Sequence, residues 1–272
     1  MSAPFEAAGL TDVGRVRANN EDSFFCDGEK GIFIVADGMG GHNSGEVASS
    51  FAVSLVKDFL VQKSSDFGCR ISSADLEAGV KAANSLVYAK GRALPKDSGM
   101  GTTLVCACGD GETLTVAHVG DSRAYILRKG VLSCLTEDHS VVQEQIRRGL
   151  IRQEEAAVSE LQNLLTRAVG SNPEVDVDIS THPLFFGDLL LLASDGLTKM
   201  VPDFRIQEIL SRKEDISTLA SKLVSEALKA GGLDNVTVVV ARVRREGKKS
   251  RLGSSWSKVK SILRGADAKT SS

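Results

Sequence analysis

The sequence contains few of the residues that build several common kinds of functional site. Its five cysteines are an odd number without Cys-x-x-Cys spacing, which argues against a zinc site or a disulfide framework. It has four histidines and no Gly-x-Ser-x-Gly stretch, so a histidine-activated serine nucleophile is poorly supported. The first ten residues lack a basic segment, and no apolar run approaches the roughly 20 residues of a membrane span. We expect a cytoplasmic protein with reduced thiols and no signal peptide.

Basic residues are concentrated at the C-terminal end. The net charge is −2, but residues 244–272 carry nine basic and two acidic residues, which leaves the rest of the chain at −9. An acidic body disfavours nucleic acid as a partner and suits the binding of cations. We expect one folded domain over residues 1–243 and a basic, flexible tail over 244–272. Two interpretations of the tail stay open: a disordered segment, or a short helix around Trp256 that contacts an anionic membrane surface or a partner protein.

Hydrophobic patterns predict a mixture of strands and helices. The predicted strands are Ser23–Cys26, Gly31–Ala36, Thr103–Cys108, Thr113–Val119, Ala124–Arg128, Val131–Leu135 after a hairpin turn, Leu189–Ala193 and Asn235–Val243. The predicted helices are Ser44–Gln62, Ser73–Arg92, His139–Arg148, Asp203–Arg212 and Ile216–Ala230. Strands joined by short hairpins, with long helices before and after them, predict an α+β fold with antiparallel sheets.

Four aspartates lie at the ends of apolar strand patterns: Asp37, Asp121, Asp195 and Asp234. If these strand ends converge, the carboxylates need cations, because buried anions must be neutralised or bind metal. Ligands that are all oxygen favour Mg²⁺, Mn²⁺ or Ca²⁺ over zinc. A turn is the simpler explanation for any single Asp-Gly pair, so the inference depends on the four acids together.

Glycines follow Asp37 in the stretch "DGMGGHNSGE" and offer a competing interpretation as a nucleotide loop. The stretch lacks the Lys-Ser/Thr of a P-loop, and Asn43 stands where a Gly-x-Gly-x-x-Gly motif needs its last glycine. Asp37 would also repel a phosphate unless a metal lay between them. A metal loop is therefore the better interpretation.

The segment "GRVRANNEDSFF" places two arginines, Arg15 and Arg17, shortly before Glu21 and Asp22. An arginine can bind a phosphate through two hydrogen bonds, and carboxylates can orient metal-bound waters. A solvated charge cluster is the alternative. Two histidines, His42 and His139, flank candidate site loops and could act as acids or bases.

Eight motifs, in order, resemble the PP2C-type metal-dependent serine/threonine protein phosphatases, especially their bacterial branch. They are "RANNEDS", "VADGMGGHNSGEVAS", "GMGTTLV", "AHVGDSRAYIL", "LTEDHS", "LTRAVG", "LLASDGL" and "GGLDNVTVVV". The resemblance spans Gly14 to Val243 and implies an α-β-β-α sandwich, with two antiparallel sheets between helix pairs. We expect a monomer that acts on phosphoproteins and opposes a serine/threonine kinase.

The resemblance also implies roles for individual residues. Asp37 would bridge two Mn²⁺ or Mg²⁺ ions, the Gly38 carbonyl would help to bind one of them, and Asp195 and Asp234 would hold the other. A third ion would use Asp121 together with Asp195. Glu21 and Asp22 would act mainly through waters, while Arg17 would bind the phosphate.

The implied reaction is in-line attack on phosphorus by a water that bridges the two ions. Met39 stands where some relatives carry a histidine, which leaves the proton donor open between a metal-bound water and His42. In bacterial members of the family, a mobile segment called the flap lies beside the site. The corresponding segment here is about residues 140–166, and its stretch "SELQNLLTR" departs from the sequence usual in those members. Two other functions remain open: a pseudophosphatase that binds phosphoproteins without turnover, and a hydrolase of small phosphorylated metabolites.

Overall fold

The computed structural model describes residues 4–40, 44–67, 71–93, 99–152, 155, 159 and 161–244. These residues form eleven strands and six helices. The strands are β1 Phe5–Asp12, β2 Asp22–Asp27, β3 Ile32–Met39, β4 Gly101–Thr102, β5 Leu104–Gly109, β6 Thr113–Val119, β7 Arg123–Arg128, β8 Val131–Cys134, β9 Asp178–Pro183, β10 Leu189–Ala193 and β11 Val236–Val243. The helices are α1 Ser44–Phe67, α2 Ser73–Ala93, α3 Val141–Arg147, α4 Asp195–Thr198, α5 Asp203–Leu210 and α6 Ile216–Lys229.

The strands form two antiparallel sheets. One has the order β1-β11-β10-β7-β8, and the other has the order β2-β3-β5-β6-β9, with β4 paired to the end of β3. A tight turn fixes the register between β5 and β6. In this turn the Asp110 side chain accepts hydrogen bonds from the backbone N–H groups of Glu112 and Thr113. This local turn fixes which faces of the two strands point the same way.

Alternate residues of the central strands enter different apolar layers. In β3, Ile32 and Ile34 pack with α1 and α2, whereas Phe33 and Val35 pack against the other sheet. In β11, Val240 faces α5 and α6. The order of layers is therefore helices, sheet, sheet, helices, because period-2 side chains bury both faces of each sheet. The predicted α-β-β-α sandwich is confirmed.

Capping side chains begin some of the helices. Ser72 and Asp75 form a reciprocal capping pair at α2: each backbone N–H donates to the other side chain, at 3.1 Å in both directions. Asp215 caps α6 by accepting from the N–H of Thr218 at 2.8 Å. These bonds satisfy donors that the first helical turn leaves unpaired.

Two edge strands, the two-residue strand β4 and one short helix were not predicted from the sequence. The edge strands are β1 and β9. Helix α4 begins directly at Asp195. Strand β3 continues to Met39 instead of ending at Ala36, because Gly38 and Met39 pair with β4. Asp37 consequently belongs to a strand, not to the loop that was expected.

Some predictions fall on residues that lie outside the described part of the chain, among them His42 and the tail from residue 245. The flap is described in part: α3 is present, and the two flap ends pair at Ser140 and Leu165. Arg244 still belongs to the domain, since its N–H donates to the Pro4 carbonyl at 2.8 Å. Among the described helices, none has both the length and the apolar character needed to cross a membrane.

Candidate active site

A pocket of about 520 Å³ opens at one end of the sandwich. The four strand-end aspartates all line it, together with Arg17, Glu21 and Gly38. They come from distant parts of the chain, and the two facing sheets bring them together because the relevant strands end at the same edge. Asp22 and Arg15 are not among the residues that line this pocket.

Asp37 is held by its backbone, so its carboxylate is free to face the pocket. Its N–H donates to the Thr103 hydroxyl at 2.9 Å, and its carbonyl accepts from the Thr103 N–H at 2.8 Å and the Thr102 hydroxyl at 2.9 Å. Burial, with the nearby charges of Asp22, Asp195 and Asp121, raises the pKa of Asp37 well above its ordinary value. A carboxylate in this position gains greatly from a bound cation.

Glycine is required at two points where backbones of the site approach closely. A Cβ on Gly38 would collide with the carbonyl oxygens of Gly45 and Glu21. A Cβ on Gly196 would collide with the carbonyl oxygen of Asn235. The first contact joins the end of β3 to the start of α1, and the second brings α4 against the loop that carries Asp234.

The donor set fits hard divalent cations. Asp195 Oδ1 is buried and has no hydrogen-bond partner, and the Asp195 carboxylate lies near enough to Asp37 to help raise the Asp37 pKa. The other acids contribute only oxygen, which Mg²⁺ and Mn²⁺ prefer. Two buried carboxylates that crowd each other, one with an unpaired oxygen, are better explained by a metal centre than by a structural hydrogen-bond network.

The loop at Asp234 binds the N-terminal segment to the site. Arg17 Nη2 donates to Asp234 Oδ2 at 2.8 Å. Next to it, Asn235 accepts from the Glu21 N–H at 2.7 Å and donates to the carbonyls of Val13 and Asn19, both at 2.9 Å. These three bonds fix the segment that carries Arg17 and Glu21. No motif in the sequence had indicated a role for the Asn235 side chain.

The two acids of the N-terminal segment lie at different depths. Glu21 lines the pocket, and burial raises its pKa although Arg17 opposes the shift. Asp22 pairs with Asp37 across β2 and β3 and lies behind the pocket, where it accepts a hydrogen bond from the Ser194 hydroxyl at 2.8 Å. Burial raises the pKa of Asp22 to about 7. Asp22 therefore supports the site from behind.

Asp121 is accompanied by a lysine that the sequence analysis did not single out. Lys199 Nζ lies 3.6 Å from Asp121 Oδ2 and 2.5 Å from Asp195 Oδ2, and it donates to Asn163 Oδ1 of the flap at 2.8 Å. Burial raises the pKa of Asp121 to about 6, and Asp195 adds to this shift while Lys199 opposes it. The spacing from Asp195 to Lys199, one helical turn, would have revealed the contact had α4 been predicted.

His139 does not fulfil the acid–base role considered for it. It is buried, stacks on His118 at 4.5 Å between ring centroids, and its Nδ1 accepts from the Gly120 N–H at 3.1 Å. Burial, with His118 nearby, lowers its pKa to about 4, so the ring is a poor proton donor near neutral pH. His118 has a satisfied ring nitrogen, because Nε2 lies 2.8 Å from the Glu137 carbonyl oxygen.

His118, His139 and Asp178 are near enough to suggest a second metal centre, with ligand atoms within 4.8 Å of one another. The hydrogen bonds argue against it. Because His139 Nδ1 accepts from Gly120, the neutral ring carries its proton on Nε2, the atom that faces Asp178 Oδ2 at 3.4 Å. Nε2 has no hydrogen-bond partner at this distance, but its proton leaves no lone pair for a metal ion, and Asp178 pairs instead with Arg167 at 2.6 Å.

Comparison with known proteins decides which family this architecture represents. The model of the family "Protein phosphatase 2C" matches residues 10–236. The chain belongs to the protein phosphatase 2C family. Its curated relatives include the serine/threonine phosphatase stp of Listeria monocytogenes serotype 4b, which is 40% identical over 233 residues, 85% of this chain and 92% of the relative. The predicted family and the predicted enzyme class, a protein-serine/threonine phosphatase, are confirmed.

Solved structures of the protein phosphatase 2C family match the same part of the chain. The Mycobacterium tuberculosis serine/threonine phosphatase PstP/Ppp has a TM-score of 0.81 and 39% identity, with 89% of this chain and 99% of that chain covered. A second structure, the catalytic domain of PstP in complex with two manganese ions, has a TM-score of 0.79 and 38% identity, with coverage of 89% and 99%. The family's metal dependence agrees with the oxygen-rich pocket.

Proposed function

We propose that this protein phosphatase hydrolyses phosphoserine and phosphothreonine in proteins with the help of two Mn²⁺ or Mg²⁺ ions. The observation that carries the proposal is the crowding of Asp37 and Asp195, with an unpaired buried oxygen, beside an arginine at the pocket mouth. Asp37 would contact both ions, the Gly38 carbonyl would bind one, and Asp195 and Asp234 would bind the other. Glu21 and Asp22 would act through waters and neighbouring side chains.

Bound divalent ions supply Lewis acidity: they make hydroxide available near neutral pH and offset the negative charge of the phosphoryl group. The chain's own contribution is to hold their ligands in place. Thr102 and Thr103 fix the backbone of Asp37, and Asn235 fixes the loop that carries Glu21. Rigid placement matters because in-line displacement needs the nucleophile and the leaving oxygen on opposite sides of phosphorus.

Arg17 would bind the phosphoryl oxygens. Its side chain is 53% exposed, and a guanidinium has five N–H donors, so it can contact Asp234 and a phosphate together. Bidentate arginine contacts orient phosphate and balance charge as it develops in the transition state. Arg15 lies nearby in sequence, but it does not line the pocket. Its backbone N–H donates to the Gly232 carbonyl at 2.7 Å.

We place the protein in the cytoplasm, where it would oppose a serine/threonine kinase and act on that kinase's targets as a monomer. None of the four described cysteines, Cys26, Cys106, Cys108 and Cys134, forms a disulfide, which is consistent with a reducing compartment. A third ion was expected at Asp121, but Lys199 already neutralises part of the charge of that carboxylate.

Phosphate release from a phosphothreonine peptide tests the function. With Mn²⁺ we expect turnover that EDTA abolishes, and Asp37→Asn should lower kcat by about a thousandfold or more, because metal assistance contributes several kcal/mol. A matched control is Asp110→Asn, in the exposed turn between β5 and β6. EDTA-resistant release would contradict metal dependence. Metal binding without turnover would favour a pseudophosphatase, and faster turnover of small phosphorylated metabolites would favour a metabolite hydrolase.

A further inference from the structure

The ammonium of Lys199 lies among three oxygen atoms in the acidic part of the pocket. These atoms are Asp195 Oδ2 at 2.5 Å, Asn163 Oδ1 at 2.8 Å and Asp121 Oδ2 at 3.6 Å. Only 8% of the Asp121 side chain and 15% of the Asp195 side chain are exposed. These carboxylate and amide oxygens surround the ammonium as they would surround a bound cation.

The backbone fixes Lys199 in this position. Helix α4 begins at Asp195, and the Lys199 N–H donates to the Asp195 carbonyl at 2.8 Å. Residues four apart lie on the same helical face, so the lysine side chain is directed towards the Asp195 carboxylate. The short helix is held in turn by the contact of Gly196 with the Asn235 backbone. The lysine therefore reaches these oxygens through local geometry.

Asp121 and Asp195 are the two residues to which the family resemblance assigned a third ion. A divalent ion at these oxygens would lie close to the Lys199 ammonium, whose side chain is 31% exposed, and the two positive charges would repel each other. The lysine would have to leave both carboxylates before the ion could bind. The donor set thus fits one ammonium better than an additional metal.

We propose that Lys199 is a resident cation that takes the place of a third metal ion and connects Asp121 and Asp195 to the flap residue Asn163. The proposal rests on the proposed function, because Asp195 is there a ligand of the two-ion centre. Lys199 is in this account a positioning residue: it orients Asp195 and does not contact the substrate. Each chain then binds two metal ions, and the Lys199 ammonium occupies the position of a third.

Counting bound manganese tests the proposal independently of turnover. Equilibrium dialysis against a Mn²⁺ series, with the bound metal measured by mass spectrometry, should give two ions per chain for the native protein. Lys199→Asp should bind a third, because it removes the ammonium and adds a carboxylate. The double variant Asp121→Asn, Lys199→Asp should return to two. Native protein that binds three ions, or Lys199→Asp that still binds two, would overturn the proposal.

Lys81→Asp is the matched control. Lys81 also pairs with an acid one helical turn earlier, Glu77 at 2.6 Å, but it lies on the exposed face of α2. Its variant has the same charge change and should bind two ions. Should Lys199→Asp fail to fold, Lys199→Met removes only the ammonium, and a third ion there supports the proposal while two ions contradict it.

Failure of the proposed function would look different. Native protein that binds no Mn²⁺ would refute both the two-ion phosphatase and the role of Lys199. Native protein that binds two ions without releasing phosphate would refute only the phosphatase activity. Native protein that binds three ions and releases phosphate would keep the phosphatase and reject the role of Lys199.

Discussion

Two basic side chains enter the same acidic pocket and differ in how they are held. Arg17 pairs with Asp234 at the mouth, where the two side chains are 53% and 36% exposed. Lys199 pairs with Asp195 and Asp121, which are 15% and 8% exposed, and also contacts the flap. Arg17 comes from the loop between β1 and β2, whereas Lys199 follows a helical turn that starts at its partner.

The difference separates two tasks for positive charge. An exposed ion pair is weak, so Arg17 can exchange part of its contact with Asp234 for a phosphate at little cost. Removing one partner of a buried pair leaves the other charge uncompensated, which makes Lys199 part of the permanent structure. We infer that the pocket uses a mobile cation to bind substrate and a fixed cation to hold its acids.

Of the substitutions that test this difference between Arg17 and Lys199, Arg17→Ala is expected to have the largest effect on catalysis. Hydrogen bonds to charged groups contribute about 1.5–3 kcal/mol, so kcat/KM for a phosphothreonine peptide should fall by roughly tenfold to a hundredfold. KM should rise because the contact orients the bound phosphate, and kcat should fall because the same contact balances charge in the transition state. Steady-state kinetics give both values.

Arg15→Ala is the matched control for this experiment, since Arg15 belongs to the same segment but does not line the pocket. Its kcat/KM should stay within about twofold of the native value, as for surface substitutions in general. Equal losses in both variants would mean that the segment contributes only overall positive charge.

A smaller effect is expected from Asn163→Ala. This change removes the flap's hydrogen bond to Lys199 and leaves the ion pairs with Asp121 and Asp195 in place. A single hydrogen bond contributes about 1 kcal/mol, so amide hydrogen exchange at residues 161–165 should accelerate by roughly fivefold. Exchange unchanged from the native protein would show that Lys199 does not restrain the flap. Asn172→Ala, at the same pocket but without a contact to Lys199, is the control.

The central fold was predictable because its strands are buried on both faces. Runs such as IFIVA in β3 and LLLLA in β10 have strong apolar patterns, and each lies in the middle of a sheet. The edge strands β1 and β9 were missed for the opposite reason. Both pair on one side only and consist mainly of half-buried or polar residues, so their side chains carry little periodic signal.

The candidate site was predictable where a residue's type implies its chemistry. Asp37, Asp121, Asp195 and Asp234 stood out as acids at strand ends, and all four line the pocket. Lys199 and Asn235 did not stand out, because a lysine or an asparagine has many ordinary surface roles. Their importance depends on the start of α4 and on three hydrogen bonds between distant loops, which the sequence alone does not reveal.

The most direct test of the account is a crystal structure of the Mn²⁺-bound protein with anomalous diffraction recorded at the manganese absorption edge. The account predicts two anomalous peaks among Asp37, Asp195 and Asp234, Arg17 at the mouth, and the Lys199 ammonium between Asp121 and Asp195. A peak between Asp121 and Asp195 with Lys199 turned away, or no peak beside Asp37, would contradict it.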